Sequence, residues 1–160
     1  MKCLVGLGSN LGDSVATLVA ARKDVSELPS TFVLGSSSLY RTAPVGGPEQ
    51  ADFINAVLLV DSPAEPTDFL QQLQAIENKH ARVRTERWGP RTLDLDIIDV
   101  AGFRSNSDAL HIPHPRARER AFVLVPAREV APTWMLGDVE LANLSIPADQ
   151  PIESFYRAEW

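Results

Sequence analysis

The hydrophobic pattern opens with a short apolar run followed by a helical periodicity. Residues 2–8 are mostly apolar, which predicts a buried first strand that ends in a glycine-rich turn. After Asp13, a suitable helix N-cap, apolar side chains recur at helical spacing until Pro29. The start of the chain therefore predicts a strand, a tight turn and a helix.

The middle of the chain predicts three more strands and a second helix. Residues 31–41 and 53–61 are rich in β-branched and aromatic side chains, which favours strands, and the loop 42–52 between them is too long for a tight hairpin. A helix is predicted from Pro66 to about residue 80 or 82. Apolar and acidic residues then alternate over 92–99, which predicts a strand.

The order strand, helix, strand, strand, helix, strand is typical of a split β-α-β arrangement. We therefore predict an α+β fold with a ferredoxin-like core, in which helices pack on the faces of a largely antiparallel sheet. Residues 116–130 predict one helix, or two interrupted near Pro126, and residues 132–160 predict an irregular tail packed on the rest. A length of 160 residues suits a single domain.

The charge and the cysteine content indicate which ligands the protein is expected to bind and in which cellular compartment it is expected to work. With 21 acids against 15 bases, the net charge of -6 disfavours general binding to nucleic acid or to an anionic membrane. Cys3 is the only cysteine and lies in an apolar run, which predicts a buried, unreactive thiol and a reducing cytoplasm. No apolar run approaches the ~20 residues of a membrane span.

The bases are concentrated beside two carboxylates. Arg82, Arg84, Arg87 and Arg91 surround a Trp-Gly-Pro turn, and the following strand carries Asp94 and Asp96. Alternation places the two carboxylates on one strand face with Cα atoms about 6.6 Å apart, where they could hold two Mg²⁺ ions against a polyphosphate. The alternative is a solvated acidic strand beside solvated arginines. The adjacency of the arginines and the two aspartates favours a polyphosphate site.

For three features of the sequence, two interpretations stay open. The turn at 8–12 precedes a helix and could bind an anion, but without a Walker-type lysine a connecting turn is favoured. Trp88 could cover a ligand or anchor its loop. His114 lies between two prolines and suits either a phosphate contact or a structural role.

Several segments, in order, resemble the family of 6-hydroxymethyl-7,8-dihydropterin pyrophosphokinases, enzymes of folate biosynthesis. The most specific is RWGPRTLDLDI at 87–97, and the others are GLGSNLGD near the start, SSLYRTAPVGGPEQADFINAV at 37–57 and IPHPRARERAFVLVPAREVAP at 112–132. The resemblance implies transfer of pyrophosphate from ATP to the pterin hydroxymethyl group, with release of AMP. The chain departs from the family pattern at Ala109 and Pro115 and in a slightly shorter arginine loop.

The resemblance also implies roles for individual residues. Asp94 and Asp96 would bind two Mg²⁺ ions that accompany ATP, and Arg82 and Arg91 would act with them as catalytic residues. The residues implied around ATP are Gln74, Glu77, Arg82, Arg84, Trp88, Arg91, Ile97, His114 and Arg120. Those implied around the pterin are Thr42, Pro44, Val45, Phe53, Asn55, Trp88, Asp94 and Phe122. Without the resemblance, Phe53 and Phe122 are expected in the core.

Two other functions compete with this hypothesis. One is a ferredoxin-like module that binds RNA or an anion without catalysis, although bases in loops and acids on a strand do not suit an RNA-binding sheet. The other is a simple kinase that transfers only the γ-phosphate. We expect a monomer whose partners are ATP and a dihydropterin.

Overall fold

The computed structural model describes residues 1–44, 49–80, 92–156 and 160. Its α-helices are α1 (Ser14–Ser26), α2 (Pro66–His80) and α3 (Ala121–Val130). The main sheet contains β1 (Lys2–Ser9), β2 (Phe32–Ser36), β3 (Leu39–Thr42), β4 (Phe53–Asp61), β5 (Asp94–Val100) and β10 (Ile152–Tyr156). Small hairpins pair β6 (Ser105–Asn106) with β7 (His111–Ile112), and β8 (Met135–Leu136) with β9 (Val139–Glu140). Turns of 3-10 helix cover Ala117–Glu119 and Leu141–Asn143.

The main sheet has the predicted topology. Its strands run in the order β10, β3, β4, β1, β5, and β2 pairs with β4 beyond β3. All of these pairs are antiparallel. Because β4 lies between β1 and the β2–β3 segment, the first strand–helix–strand unit is split by a later strand. The α+β class and the ferredoxin-like core are confirmed.

The predicted strand over 31–41 is two strands. The ladder to β4 breaks at Ser37, whose Oγ accepts a hydrogen bond from the Val57 N–H at 2.9 Å while its own N–H donates to the Val57 carbonyl at 2.9 Å. A serine hydroxyl that takes a backbone partner competes with regular pairing. β2 and β3 therefore follow one another along the same edge of β4.

The sheet has two unequal covered faces. On one, apolar side chains of β1, β4 and β5 pack with α1 and α2, and this core includes Leu7, Leu58, Leu73 and Leu95. Leu93, Leu95 and Ile97 all belong to it, which confirms the predicted alternation of the strand before residue 100. The opposite face carries a smaller core against α3. The helices thus pack on both faces.

The helix starts follow their local sequence. The Asp13 side chain accepts from the Ala16 N–H at 3.1 Å and caps α1, and Pro66 occupies the first position of α2. Of the two alternatives for residues 116–130, the interruption near Pro126 does not occur, since α3 continues through that proline. The break lies at Arg120, whose extended backbone separates the 3-10 turn from α3. Buried Leu124 and Ala127 hold the helix to the sheet on either side of Pro126.

The C-terminal segment is less irregular than its sequence suggests. β10 pairs with β3 and extends the main sheet, with Ile152 opposite Thr42. The Trp160 indole N–H donates to the Ser37 carbonyl at 2.6 Å. Cys3 is fully buried, and burial raises the pKa of its thiol to about 12, as expected for an unreactive cysteine. In the described part of the chain, no helix is long and apolar enough to cross a membrane.

Candidate active site

The floor of the candidate site is a polar continuation of the sheet face that packs against α3. In the register of the sheet, Gly8 on β1 lies between Asn55 on β4 and Asp94 on β5. Gly6, two residues earlier, lies opposite Asp96. Cross-strand partners point to the same face of a sheet, so both carboxylates share a face with Asn55. Each carboxylate has a glycine beside it, which leaves open space above the strands.

A cavity of about 670 Å³ lies over this floor. Its walls come from the end of β3 and the loop after it, the segment from His114 to α3, and the residues just before β10. It brings together most of the predicted site residues that the structure describes, namely Thr42, Pro44, Phe53, Asn55, Asp94, Asp96, His114, Arg120 and Phe122. Residues from three strands and three wall segments therefore meet in one concave site.

One part of the lining suits a flat, polar heterocycle. Phe53 on β4 and Phe122 on α3 are half-buried, and neither is among the fully buried core side chains. The buried Asn55 side chain donates to Thr42 Oγ1 at 2.7 Å, so the amide is held in a fixed orientation. Aromatic faces and a fixed amide are the groups that recognise a ring with hydrogen-bonding edges.

The other part of the lining is charged. Asp94 is half-buried and Asp96 exposed, and both border the cavity. Burial lowers the pKa of the half-buried Arg120, and the nearby Asp96 carboxylate offsets part of that effect. A carboxylate pair and a guanidinium thus line the same cavity, and both are groups that bind a metal-bound polyphosphate.

His114 also lines this charged region, in surroundings that disfavour the protonated ring. Burial lowers the pKa of His114, and the positive charges of Arg120 and Arg116 and the nearby His111 lower it further. Its Nδ1 accepts a hydrogen bond from the Arg116 N–H at 3.2 Å. In the neutral imidazole the proton is therefore on Nε2, which can donate to an anionic oxygen.

The residues around the carboxylates fit a hard divalent cation. Asp94 and Asp96 present oxygen ligands on one strand face, beside glycines that leave room for an ion and its other ligands. Within the described ranges, no group of three or more His, Cys, Asp and Glu side chains forms a metal cluster. One or two carboxylates completed by water and phosphate oxygens are the usual ligands of Mg²⁺.

Three predicted ATP-binding residues lie away from this cavity. Gln74 is exposed on α2, and Ile97 is buried in the core between the sheet and α1 and α2. Glu77 on α2 accepts from the Leu95 N–H at 2.8 Å, which fixes β5 between its two aspartates. Their roles in ATP binding stay predictions. Val45, Arg82, Arg84, Arg87, Trp88 and Arg91 lie outside the described residues.

Two residues near the site were not predicted from the sequence. The buried Asn10 side chain donates to Gln50 Oε1 at 2.8 Å and to the Ala51 carbonyl at 2.9 Å, and so ties the turn after β1 to the segment before β4. Gln150 contacts the start of α3 and lines the cavity. Both act across 29 or more positions of sequence, and a local pattern gives no sign of such contacts.

The sequence comparisons agree with the geometry of the site. The model of the family described as 7,8-dihydro-6-hydroxymethylpterin-pyrophosphokinase (HPPK) matches residues 4–132. A protein of Methylorubrum extorquens named 2-amino-4-hydroxy-6-hydroxymethyldihydropteridine pyrophosphokinase is 40% identical over 136 residues, which cover 85% of this chain and 86% of the relative. A protein of the same name from Pseudomonas aeruginosa is 42% identical over 134 residues, covering 84% of this chain and 83% of that one.

Solved structures give the same fold. HPPK-DHPS of Plasmodium falciparum, solved with SDX-DHP, matches with a TM-score of 0.65 and 12% identity, and the structure with pterin and p-hydroxybenzoate matches at 0.66 and 13%. Each match covers 89% of this chain but only 42% or 41% of the longer one. At this identity the likeness concerns the fold alone. From the family model and the relatives, the chain belongs to the 7,8-dihydro-6-hydroxymethylpterin-pyrophosphokinase (HPPK) family.

Proposed function

We infer that the protein is an ATP-dependent pyrophosphokinase that acts on 6-hydroxymethyl-7,8-dihydropterin in folate biosynthesis. The substrate hydroxyl oxygen forms a bond to the β-phosphorus of ATP and loses its proton. The bond between that phosphorus and the α,β-bridging oxygen breaks, and AMP leaves with the oxygen. The products are the pterin diphosphate and AMP. One observation carries the inference: a single cavity holds the Asn55, Phe53 and Phe122 set beside the Asp94–Asp96 pair.

The residues that line the cavity have different proposed roles in recognition of the pterin. We propose that Phe53 and Phe122 stack on the pterin, and that Asn55, Thr42, Pro44 and Val45 read its polar edge with Asp94 nearby. The hydrogen bond that holds Asn55 to Thr42 supports this proposal, because a preorganised amide loses little entropy on binding. A pterin so bound would have its hydroxymethyl group toward Asp94 and Asp96, which line the same cavity.

We propose that Asp94 and Asp96 hold two Mg²⁺ ions that arrive with ATP. When bound, such ions neutralise phosphate charge and orient the transferred group. Asp94 and Asp96 are well suited to hold them because their strand position is fixed by pairing to β1 and by the Glu77 hydrogen bond to Leu95. The carboxylates thus keep their spacing before the ligands arrive.

We propose that basic and polar groups complete the nucleotide site. His114 and Arg120 would donate to phosphate oxygens. Their place in the cavity supports this, and so does the hydrogen bond that His114 Nδ1 accepts, which leaves Nε2 as the donor. Arg82 and Arg91 would clamp the phosphates, as planar guanidinium groups do. Gln74, Glu77, Arg84, Trp88 and Ile97 are proposed to surround the rest of ATP.

The nucleotide product tests the proposed reaction. After incubation with ATP, Mg²⁺ and 6-hydroxymethyl-7,8-dihydropterin, we expect AMP in amounts equal to the pterin consumed. ADP would instead indicate a simple kinase. A folded protein that consumes no ATP would contradict both enzymatic proposals and favour a binding module.

A methyl group at Gly8 should impair pterin recognition. A Cβ atom built at Gly8 would lie 3.0 Å from Asn55 Oδ1, and the hydrogen bond to Thr42 resists movement of that amide. We expect Gly8→Ala to raise the KM for pterin several-fold with little change in the KM for ATP. Gly35→Ala is the matched control, because its Cβ would meet only Val130 methyl groups at 4.0 Å. An unchanged pterin KM in Gly8→Ala would contradict the role of Asn55.

We further propose that residues 1–160 act as a single domain, that the protein is a monomer and that it works in the cytoplasm. The main sheet supports the first proposal, since β10 near the C-terminus pairs with β3. The buried single cysteine suits a reducing compartment.

A further inference from the structure

The start of α3 carries two cavity residues but lacks a local cap. Arg120 is the N-cap residue in an extended conformation, and its side chain makes no capping hydrogen bond. Arginine is not among the side chains that ordinarily cap a helix, and the first N–H groups of a helix have no partner within it. The junction between Arg120 and Phe122 therefore needs a partner from elsewhere in the fold.

Gln150 supplies that partner from 29 residues downstream. Its Oε1 accepts from the Ala121 N–H at 2.9 Å, and its Nε2 donates to the Glu119 carbonyl at 2.8 Å. One amide thus holds the backbone on both sides of Arg120. Because a glutamine amide both accepts and donates, it satisfies the two groups at once.

The Gln150 contact holds the backbone next to Arg120 and Phe122, which have proposed roles in binding the phosphates and the pterin. Arg120 and Phe122 both line the cavity, and the Arg120 guanidinium lies 5.3 Å from the centre of the Phe122 ring. The backbone between them is a single residue, Ala121. A shift of the junction would therefore move the cation and the aromatic face together.

Gln150 itself is held in place by the main sheet. Gln150 precedes β10 by two positions, and β10 pairs with β3 from Ile152 opposite Thr42. Thr42 is the hydrogen-bond partner of Asn55. Gln150 therefore connects the wall that carries Phe122 to the wall that carries Thr42 and Asn55.

We propose that Gln150 is a positioning residue, which sets Arg120 and Phe122 for binding of the pterin and transfer of the pyrophosphoryl group. The proposal rests on the proposed function. Gln150 acts through backbone hydrogen bonds on either side of Arg120. Its effect should therefore be seen in the kinetics of folded enzyme and in the protection of one amide.

The test uses Gln150→Met, which keeps the length of the side chain but removes both hydrogen bonds. We expect the kcat/KM for pterin to fall about tenfold, mainly through a higher KM, since two neutral hydrogen bonds are lost. Amide hydrogen exchange at Ala121 should become faster. Gln71→Met, the same change on the exposed face of α2, should leave both quantities within about twofold of wild type.

A merely structural role predicts a different result. Loss of folded protein lowers the apparent kcat but leaves the KM of the remaining folded molecules unchanged. If Gln150→Met folds poorly, Gln150→Glu keeps an acceptor for the Ala121 N–H but sets its second carboxylate oxygen against the Glu119 carbonyl, so the pterin KM of this variant should also rise. Faster exchange at Ala121 with an unchanged pterin KM would overturn the proposal, and so would unchanged exchange.

The wild-type enzyme separates this proposal from the proposed function. A wild type that turns over while Gln150→Met keeps its pterin KM would refute the positioning role alone. A wild type that does not turn over the pterin would refute the proposed function and, with it, the positioning role.

Discussion

Asp94→Ala and Asp96→Ala are each expected to lower turnover by about a thousandfold or more, while the protein stays folded. Metal ligation contributes several kcal/mol to stabilisation of the transition state, and every 1.36 kcal/mol is tenfold in rate. Asp96 is exposed at the cavity, so its removal should change the free energy of unfolding by only about 0.5 kcal/mol or less. The prediction therefore separates loss of chemistry from loss of fold.

Steady-state kinetics over a Mg²⁺ titration and thermal unfolding check this prediction. Asp68→Ala removes an exposed carboxylate from α2, outside the cavity, and serves as the matched control with near-normal rates. Near-normal rates at saturating Mg²⁺ in both cavity variants would show that the carboxylates are only a solvated strand face.

Phe122→Ala is expected to weaken pterin binding roughly 10- to 100-fold, with ATP affinity largely kept. Removal of an aromatic face loses both buried apolar area and the stacking geometry of a flat ring. Phe122 is half-buried and lines the cavity, so a large part of its ring is available to a ligand. Equilibrium titrations with the pterin and, separately, with ATP measure the two affinities.

Phe32→Ala is the control for the aromatic truncation. Phe32 is 64% exposed on β2 and does not line the cavity. It should leave both affinities unchanged. If Phe122→Ala instead unfolds the protein, Phe122 is a core residue, as its sequence context without the family resemblance suggests.

The elements with strong local signals were predicted well. β4 spans Phe53–Asp61 and α2 begins at Pro66, as the patterns indicate. Each has a long periodic run with clear flanking signals, so local preference and tertiary packing agree. The alternation in β5 also predicted which side chains enter the core and which carry the carboxylates.

The features that the sequence left open or missed lie where a distant contact decides the local structure. Ser37 breaks a strand because its hydroxyl bonds to Val57, twenty residues later. α3 passes through Pro126 because buried neighbours hold both sides of the helix, and β10 forms because β3 offers a free edge. Such effects depend on the assembled sheet and have no sequence period.

The candidate site also contains residues that the local sequence predicts and residues that it does not. The carboxylate pair was predicted from residue type and spacing, whereas Phe53 and Phe122 were assigned only through the family resemblance. An aromatic residue in an apolar context gives the same pattern in a core and in a binding wall. Asn10 and Gln150 carried no local signal, because their partners are segments brought close only by the fold.

In the proposed reaction, the two terminal phosphates of ATP move to the pterin as one unit. ATP with a radioactive β-phosphorus tests this directly, because the label reports which bond breaks. All transferred label should appear in the pterin product, and the AMP released should be unlabelled. Label that stays in the nucleotide as ADP, while the pterin gains an unlabelled phosphate, would contradict it.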